Sequence, residues 1–221
     1  MSRNFAQGLR WSCVAATGAL GLGFIGFASN PSTSAQMVAL ADPVIRVEED
    51  WQLNLNQPDD NVDSPQLHTV MTPYGDVGSY FAQVLWNYRE TPEFTAGGVQ
   101  LQSYQGESMR SRRSMEYGQL STRAESIQWT QGLETDGVQL VFEVINGASE
   151  TWGAFGREMR IADDAFLASL DEYSPNTSAR ESYVTYGSNR VDSLMITEVR
   201  YYGASGLLWT DSSPRVVFSL D

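Results

Sequence analysis

The sequence predicts an all-β fold: an antiparallel β-sandwich of jelly-roll type with at most one short helix. Three observations carry that expectation. Short runs rich in β-branched and aromatic residues recur along the chain, separated by Gly, Pro, Asn and Asp clusters. The first run alternates with a period of two: Ile45, Val47, Trp51, Leu53 and Leu55 on one face, Arg46, Glu48, Asp50, Gln52 and Asn54 on the other. The first and last runs, Ile45–Leu55 and Arg215–Leu220, are both strong strands able to pair with each other.

Taken in order, Ile45–Leu55 reads as a half-buried strand whose single lapse is Glu49, an acid at a position due to be apolar. A turn follows at Gln57-Pro58-Asp59-Asp60-Asn61. Further strands are expected at Leu67–Thr72, Ser79–Tyr88, Val99–Tyr104, Glu125–Gln131, Val138–Ile145, Tyr183–Tyr186, Val191–Tyr202, Leu207–Thr210 and Arg215–Leu220. Thr135-Asp136-Gly137 has the chemistry of a hairpin turn, because Asp-Gly tolerates the positive φ that tight hairpins need. Asn146-Gly147 is expected to end the following strand. The one helix is expected at Ala165–Leu170, capped by Asp163 and Asp164.

The N-terminus has the layout of a secretory signal peptide over residues 1–35. Arg3 and Arg10 precede a charge-free stretch from Trp11 to Ala28 that holds four glycines and falls short of the ~20 residues of a usual membrane span. Small-residue cleavage options follow Ala28, Ala35 and Ala41, with Ala35 favoured; an uncleaved anchor is the alternative. Cys13 sits at the start of the apolar stretch, where a lipid-modified cysteine does not belong. A single domain over residues 42–221 remains, about 180 residues, long enough for a sizeable core.

Charge and cysteine content narrow the function classes. The 221 residues carry 27 acids and 14 basic side chains, for a net charge of −13. All the basic residues are arginine. Without the leader, 12 arginines face 27 acids, a formal charge of −15. Such a surface repels nucleic acid and anionic lipid, and it suits a salty exterior where counter-ions screen it. Cys13 is the only cysteine, so the exported part has no disulfide, no catalytic thiol and no Cys-bound zinc.

Catalytic patterns are sparse. His68 is the only histidine, it lies in an apolar strand, and no Gly-x-Ser-x-Gly elbow accompanies it. Phosphate-loop, dinucleotide and metalloprotease motifs do not occur. Glu48 and Asp50 share one strand face at a spacing open to a glycosidase pair, but Arg46, Gln52 and Asn54 on that face read as a solvated surface. Asp59, Asp60, Asn61 and Asp63 offer part of a calcium shell, with Asx hydrogen bonding in a solvated turn as the competing reading. Arg110, Arg112 and Arg113 read as a solvated loop or as a dock for an acidic patch on a neighbour. Asn176-Thr177-Ser178 matches the glycosylation triplet.

Ser149-Glu150-Thr151-Trp152-Gly153-Ala154-Phe155-Gly156 is the most distinctive local motif. Trp152 either covers a sheet end or stacks on a sugar ring. In the second case Asn146, Trp152 and Arg157 are the candidate ligand contacts. The run Val191–Tyr202 (VDSLMITEVRYY) resembles the late strand of concanavalin-like and laminin-G-like domains, and the chain as a whole resembles uncharacterised secreted bacterial proteins. The first resemblance implies a sandwich that binds glycan or protein, in some members with calcium. The expectation is therefore a non-catalytic exported module that recognises extracellular glycan or a surface protein. The alternatives are a self-assembling surface or matrix protein and a glycoside-active enzyme.

Overall fold

A computed structural model of the chain describes residues 42–56, 65–87, 98–118, 120 and 124–220. The predicted leader and the acidic turn with Asp59, Asp60, Asn61 and Asp63 lie outside the described residues. The elements run β1 (Arg46–Leu55), β2 (Gln66–Met71), β3 (Tyr80–Trp86), β4 (Val99–Gln105), β5 (Ser108–Met115), β6 (Ser126–Thr135), β7 (Gln139–Ser149), β8 (Gly153–Phe155), β9 (Met159–Asp164), α1 (Pro175–Glu181), β10 (Tyr183–Tyr186), β11 (Val191–Gly203), β12 (Gly206–Asp211) and β13 (Arg215–Ser219).

Two antiparallel sheets form the expected β-sandwich. The larger runs β12-β11-β1-β6-β7-β8, with β13 also on β11 and β9 also on β7; the smaller runs β10-β2-β3-β4-β5. Strand β1 alternates as its sequence predicts: Val47, Trp51, Leu53 and Leu55 point into the core and are almost wholly buried. Trp51 stacks on Trp129 of β6 at 5.8 Å, and Trp129 meets Trp86 of β3 at 4.4 Å, so indole rings bridge the two layers. Each buried Trp removes roughly 150–250 Å² from water, which makes this trio a major share of the core free energy.

The Asp-Gly turn is confirmed. Strands β6 and β7 pair up to Thr135↔Leu140, and Gly137 has φ 89°. Four expectations are corrected. The end strands do not pair with each other: β11 lies between β1 and β13, bonding β1 along its length on one side and β12 and β13 on the other. A thirteen-residue strand outcompetes the five-residue β13 for the β1 edge, because it gains more ladder bonds.

The helix is not at Ala165–Leu170 but at Pro175–Glu181, with Pro in its first turn after Ser174. Asp163 caps nothing: its carboxylate accepts hydrogen bonds from Tyr80 Oη (2.8 Å) and Ser111 Oγ (2.5 Å). The Ala165 and Phe166 amides donate to Val138 O, which ties that segment to the sheet. The arginine cluster is not a loop but strand β5, the end strand of the smaller sheet, where β4 offers it a full ladder. Asn146-Gly147 does not end β7; it lies at a bulge, and the strand continues to Ser149.

Candidate functional site

The larger sheet's outer face carries an open groove of about 340 Å³, lined by Asp50, Gln52, Gln128, Thr130, Asn146, Ala148 and Thr197 together with the backbone of Trp51, Trp129 and Gly147. Two bulges shape it. Between β6 and β7, Thr130 pairs with Asn146 and Gln131 with Val144, so Ile145 is the extra residue. Strict alternation from buried Val144 would turn Asn146 inward; the inserted residue turns it outward, where it is exposed. Between β1 and β11, Asp50 pairs with Glu198 and Trp51 with Ile196, leaving Thr197 as the insert. Its hydroxyl donates to Asp50 O at 3.1 Å.

Gly147 is needed at the next position. A Cβ there would stand 2.2 Å from the Phe155 ring, so only glycine lets β8 close against β7.

Thr130 Oγ1 lies 2.7 Å from Asp50 Oδ1 and 3.2 Å from the Asn146 side-chain oxygen. A hydroxyl has one proton, and the shorter, charge-assisted contact to Asp50 takes it. Asn146 therefore meets Thr130 best through its amide nitrogen and turns its carbonyl oxygen to the groove. Gln128 is exposed, and its carboxamide makes no hydrogen bond among the described residues. The groove thus presents an acceptor and an uncommitted amide over a floor of small side chains.

Asp50, on the groove's lining, belongs to an ion-pair network that extends away from it. Arg200 binds Asp50 Oδ1 at 2.8 Å, Glu48 at 3.1 Å and Glu198 at 2.9 Å; Arg46 binds Glu48 at 2.9 Å and Glu143 at 3.2 Å. Tyr202 Oη donates to Glu48 at 3.0 Å. Hydrogen bonding to Asp50 holds the Arg200 guanidinium above its ordinary pKa, against the opposing effect of burial. Glu48 and Asp50, the pair compatible in spacing with a glycosidase, share Arg200 and are held as its counter-ions.

The three candidate ligand residues occupy different places. Asn146 lines the groove. Trp152 stacks on Trp86 at 5.5 Å and on Tyr117 at 5.0 Å, and its Nε1 donates to Gly118 O at 2.6 Å. Arg157 borders a second depression of about 300 Å³ with Met115, Tyr117, Ala154, Phe155, Gly156 and Glu158. The turn joining β7 to β8 is fixed by buried Glu125, which accepts from Ser149 Oγ, from Thr151 N at 3.0 Å and from Thr151 Oγ1 at 2.7 Å.

His68 is the strand histidine its sequence suggests. It stacks on Tyr183 at 4.7 Å with Nδ1 3.3 Å from Gln83, and burial lowers its pKa. Among the described residues, no group of three or more His, Cys, Asp or Glu side chains is placed to hold a metal ion. Nor is any helix there long and apolar enough to cross a membrane.

Sequence reasoning missed Gln128, Thr130 and Tyr117. The first two were legible as the wet face of an alternating strand, Ser126-Ile127-Gln128-Trp129-Thr130. Tyr117 lies outside any strand and left no such signal.

Comparison with known proteins adds little. No family model matches the chain, and no curated protein matches it. Among solved structures, the crystal structure of Scytalido-glutamic peptidase with a peptide-based transition state analog is similar over 78% of this chain and 82% of that one. The identity is 11% and the TM-score 0.31, a level at which the likeness extends to neither residues nor function.

Proposed function

We propose that this chain is an exported, non-catalytic β-sandwich module that binds glycan in the groove on its larger sheet. The observation that supports the reading is Asn146, turned outward by a bulge and set beside the uncommitted Gln128 in an open, hydroxyl- and amide-lined groove. Sugar hydroxyls donate and accept at once, as a carboxamide does, so the chemistry matches. The leader-like N-terminus and the likeness of Val191–Tyr202 to concanavalin-like and laminin-G-like strands agree with it. The test is a glycan array followed by calorimetry on the hits. Asn146→Ala combined with Gln128→Ala is expected to weaken binding at least tenfold with an unchanged melting curve. Full binding by that double variant would remove the groove from the mechanism.

Self-assembly is the second reading, and a charge asymmetry favours it. The strands of the smaller sheet contain no Asp or Glu, and β5 carries Arg110, Arg112 and Arg113. The larger sheet holds Glu48, Glu49, Asp50, Glu134, Glu143, Asp163, Asp164, Asp192, Glu198 and Asp211. Arginine edge to acidic face is a heterologous contact, which propagates. Sedimentation at low and high salt tests it: a monomer at every concentration and salt rules it out.

A further inference from the structure

We infer that the ligand is a neutral oligosaccharide spanning two subsites, the groove and the Arg157 depression; this rests on the glycan reading above. The two hollows are one ladder step apart. Ala148 lines the groove, Ala154 lines the second depression, and the two are direct partners across β7 and β8. Directly opposite residues of an antiparallel pair point to the same face, and strands lie ~4.8 Å apart. Both alanines are exposed. The Ala148–Ala154 ladder pair therefore lies between the two linings, and nothing longer than a methyl projects from it.

The two ends differ in chemistry. The groove offers the Asn146 and Gln128 carboxamides. The second depression offers the Tyr117 ring, held in place by its stack on Trp152, over a floor of Phe155. Its rim carries Arg157 and Glu158, exposed side chains with no hydrogen bond or ion pair among the described residues. An aromatic face beside hydrogen-bonding groups of both signs accepts a pyranose: the ring's apolar face lies on the phenol and its hydroxyls meet guanidinium and carboxylate. Gly156, at φ 106°, allows the close approach that seats Phe155, since a Cβ there would come within 2.8 Å of Val144 Cγ1. Each hollow, at about 340 and 300 Å³, is at the small end of ligand sites, so each fits a short stretch of sugar rather than a whole chain. Asp50 on the groove and the chain's net charge of −13 disfavour uronate and sulfate groups, which makes the chain of sugars neutral.

The experiment is calorimetry of the full exported chain with length ladders, one to eight units, of neutral gluco-, manno- and xylo-oligosaccharides. Linked subsites convert the second contact into an intramolecular one, so affinity is expected to rise at least tenfold once the ligand is long enough to reach both. Arg157→Ala removes an exposed side chain of the second subsite and is expected to return long oligomers to the affinity of short ones. Ala154→Trp, on that ladder pair, is expected to do the same with an unaltered circular dichroism spectrum. Binding that is independent of length, or long-oligomer affinity unmoved by both variants, overturns the two-subsite inference and leaves the groove standing. Absence of binding to every ladder overturns both readings.

Discussion

Glu48, Glu49 and Asp50 are consecutive, yet the two faces of β1 give them opposite fates. Glu48 and Asp50 point outward, partly exposed, and are held by Arg46 and Arg200. Glu49 points inward and is fully buried, and its hydrogen-bond donors among the described residues are all neutral. Its carboxyl is met by the Tyr173 hydroxyl, by Trp51 Nε1 at 2.9 Å and by Gln131 Nε2 at 2.8 Å, and Gln131 in turn accepts from Thr69 of the facing sheet at 2.8 Å. Desolvation outweighs these donors and raises the pKa of Glu49; burial and the neighbouring Glu49 raise that of Tyr173 well above its ordinary value. Neighbouring carboxylates are thus ion-paired on one face and, on the other, held by neutral donors with desolvation favouring the protonated form. The lesson is that an acid at a core position of a strand is a polar bridge between layers, not a break in the strand.

Removing the bridge should have the largest effect. Glu49→Ala strands the Tyr173, Trp51 and Gln131 donors in the core and leaves a void. Each orphaned buried group costs about 1–3 kcal/mol, and partial relaxation brings the total to about 3–5 kcal/mol. That is a large fraction of a typical domain's stability and lowers Tm by about 10 °C. Urea unfolding of the variant checks it; a loss under 1 kcal/mol would mean the carboxyl contributes nothing to holding the layers together.

The next effect is on pH dependence. Because the folded pKa of Glu49 lies above its unfolded value near 4.5, folding favours the protonated acid. Its contribution is therefore complete below that unfolded value and is lost as pH rises through the folded one. Glu49→Gln imitates the protonated acid: its carbonyl accepts from Trp51 and Gln131, and its amide donates to the Tyr173 oxygen. The variant should lose this alkaline slope while keeping most of the stability. Urea midpoints across the pH range above 4.5 decide it, and parallel wild-type and variant curves would show that Glu49 ionises in the fold without cost.

How much of this was visible in the sequence follows from which interactions are local. The alternation of β1 is local, and it exposed Glu49 as the odd residue. Of the partners of Glu49 only Trp51 is local; Gln131 comes from β6 and Tyr173 lies 124 positions away, and no local pattern connects these to it. Asn146 was recognisable as a polar candidate, but its outward aim depends on the β6–β7 bulge, which appears only when two strands are aligned. The Ser-Pro start of α1 is a capping signal, yet Asp163-Asp164 is an equally good one on paper; what separates them is that Asp163 is taken by Tyr80 and Ser111 from other strands. Strand β5, rich in Ser and Arg, has little strand propensity of its own and takes its structure from the β4 edge.

On the outer face the effects shrink. Arg200→Ala leaves Glu48 and Asp50 without their shared cation. With Arg200 about one-fifth exposed, solvent screening limits the cost to about 1–2 kcal/mol. Unlike the effect of Glu49→Ala, this one should diminish in 1 M salt, where the Debye length is about 3 Å. If the groove reading holds, the variant also weakens ligand binding, because Asp50 is no longer fixed against Thr130.

The smallest effect marks the far end of the same scale. Arg180 and Glu181 form an ion pair at 2.8 Å, within the 2.5–3.1 Å range of the Arg200 contacts, but Arg180 is 61% exposed and Glu181 33%. If distance governed the strength of these pairs, Arg180→Ala would cost as much as Arg200→Ala. If solvent access governs it, the cost stays within about 0.5 kcal/mol and is hardly changed by salt. Denaturant midpoints of the two variants, measured side by side at low and high ionic strength, separate the alternatives. Equal losses would overturn the view that exposure, rather than geometry, sets apart the carboxylates of this protein.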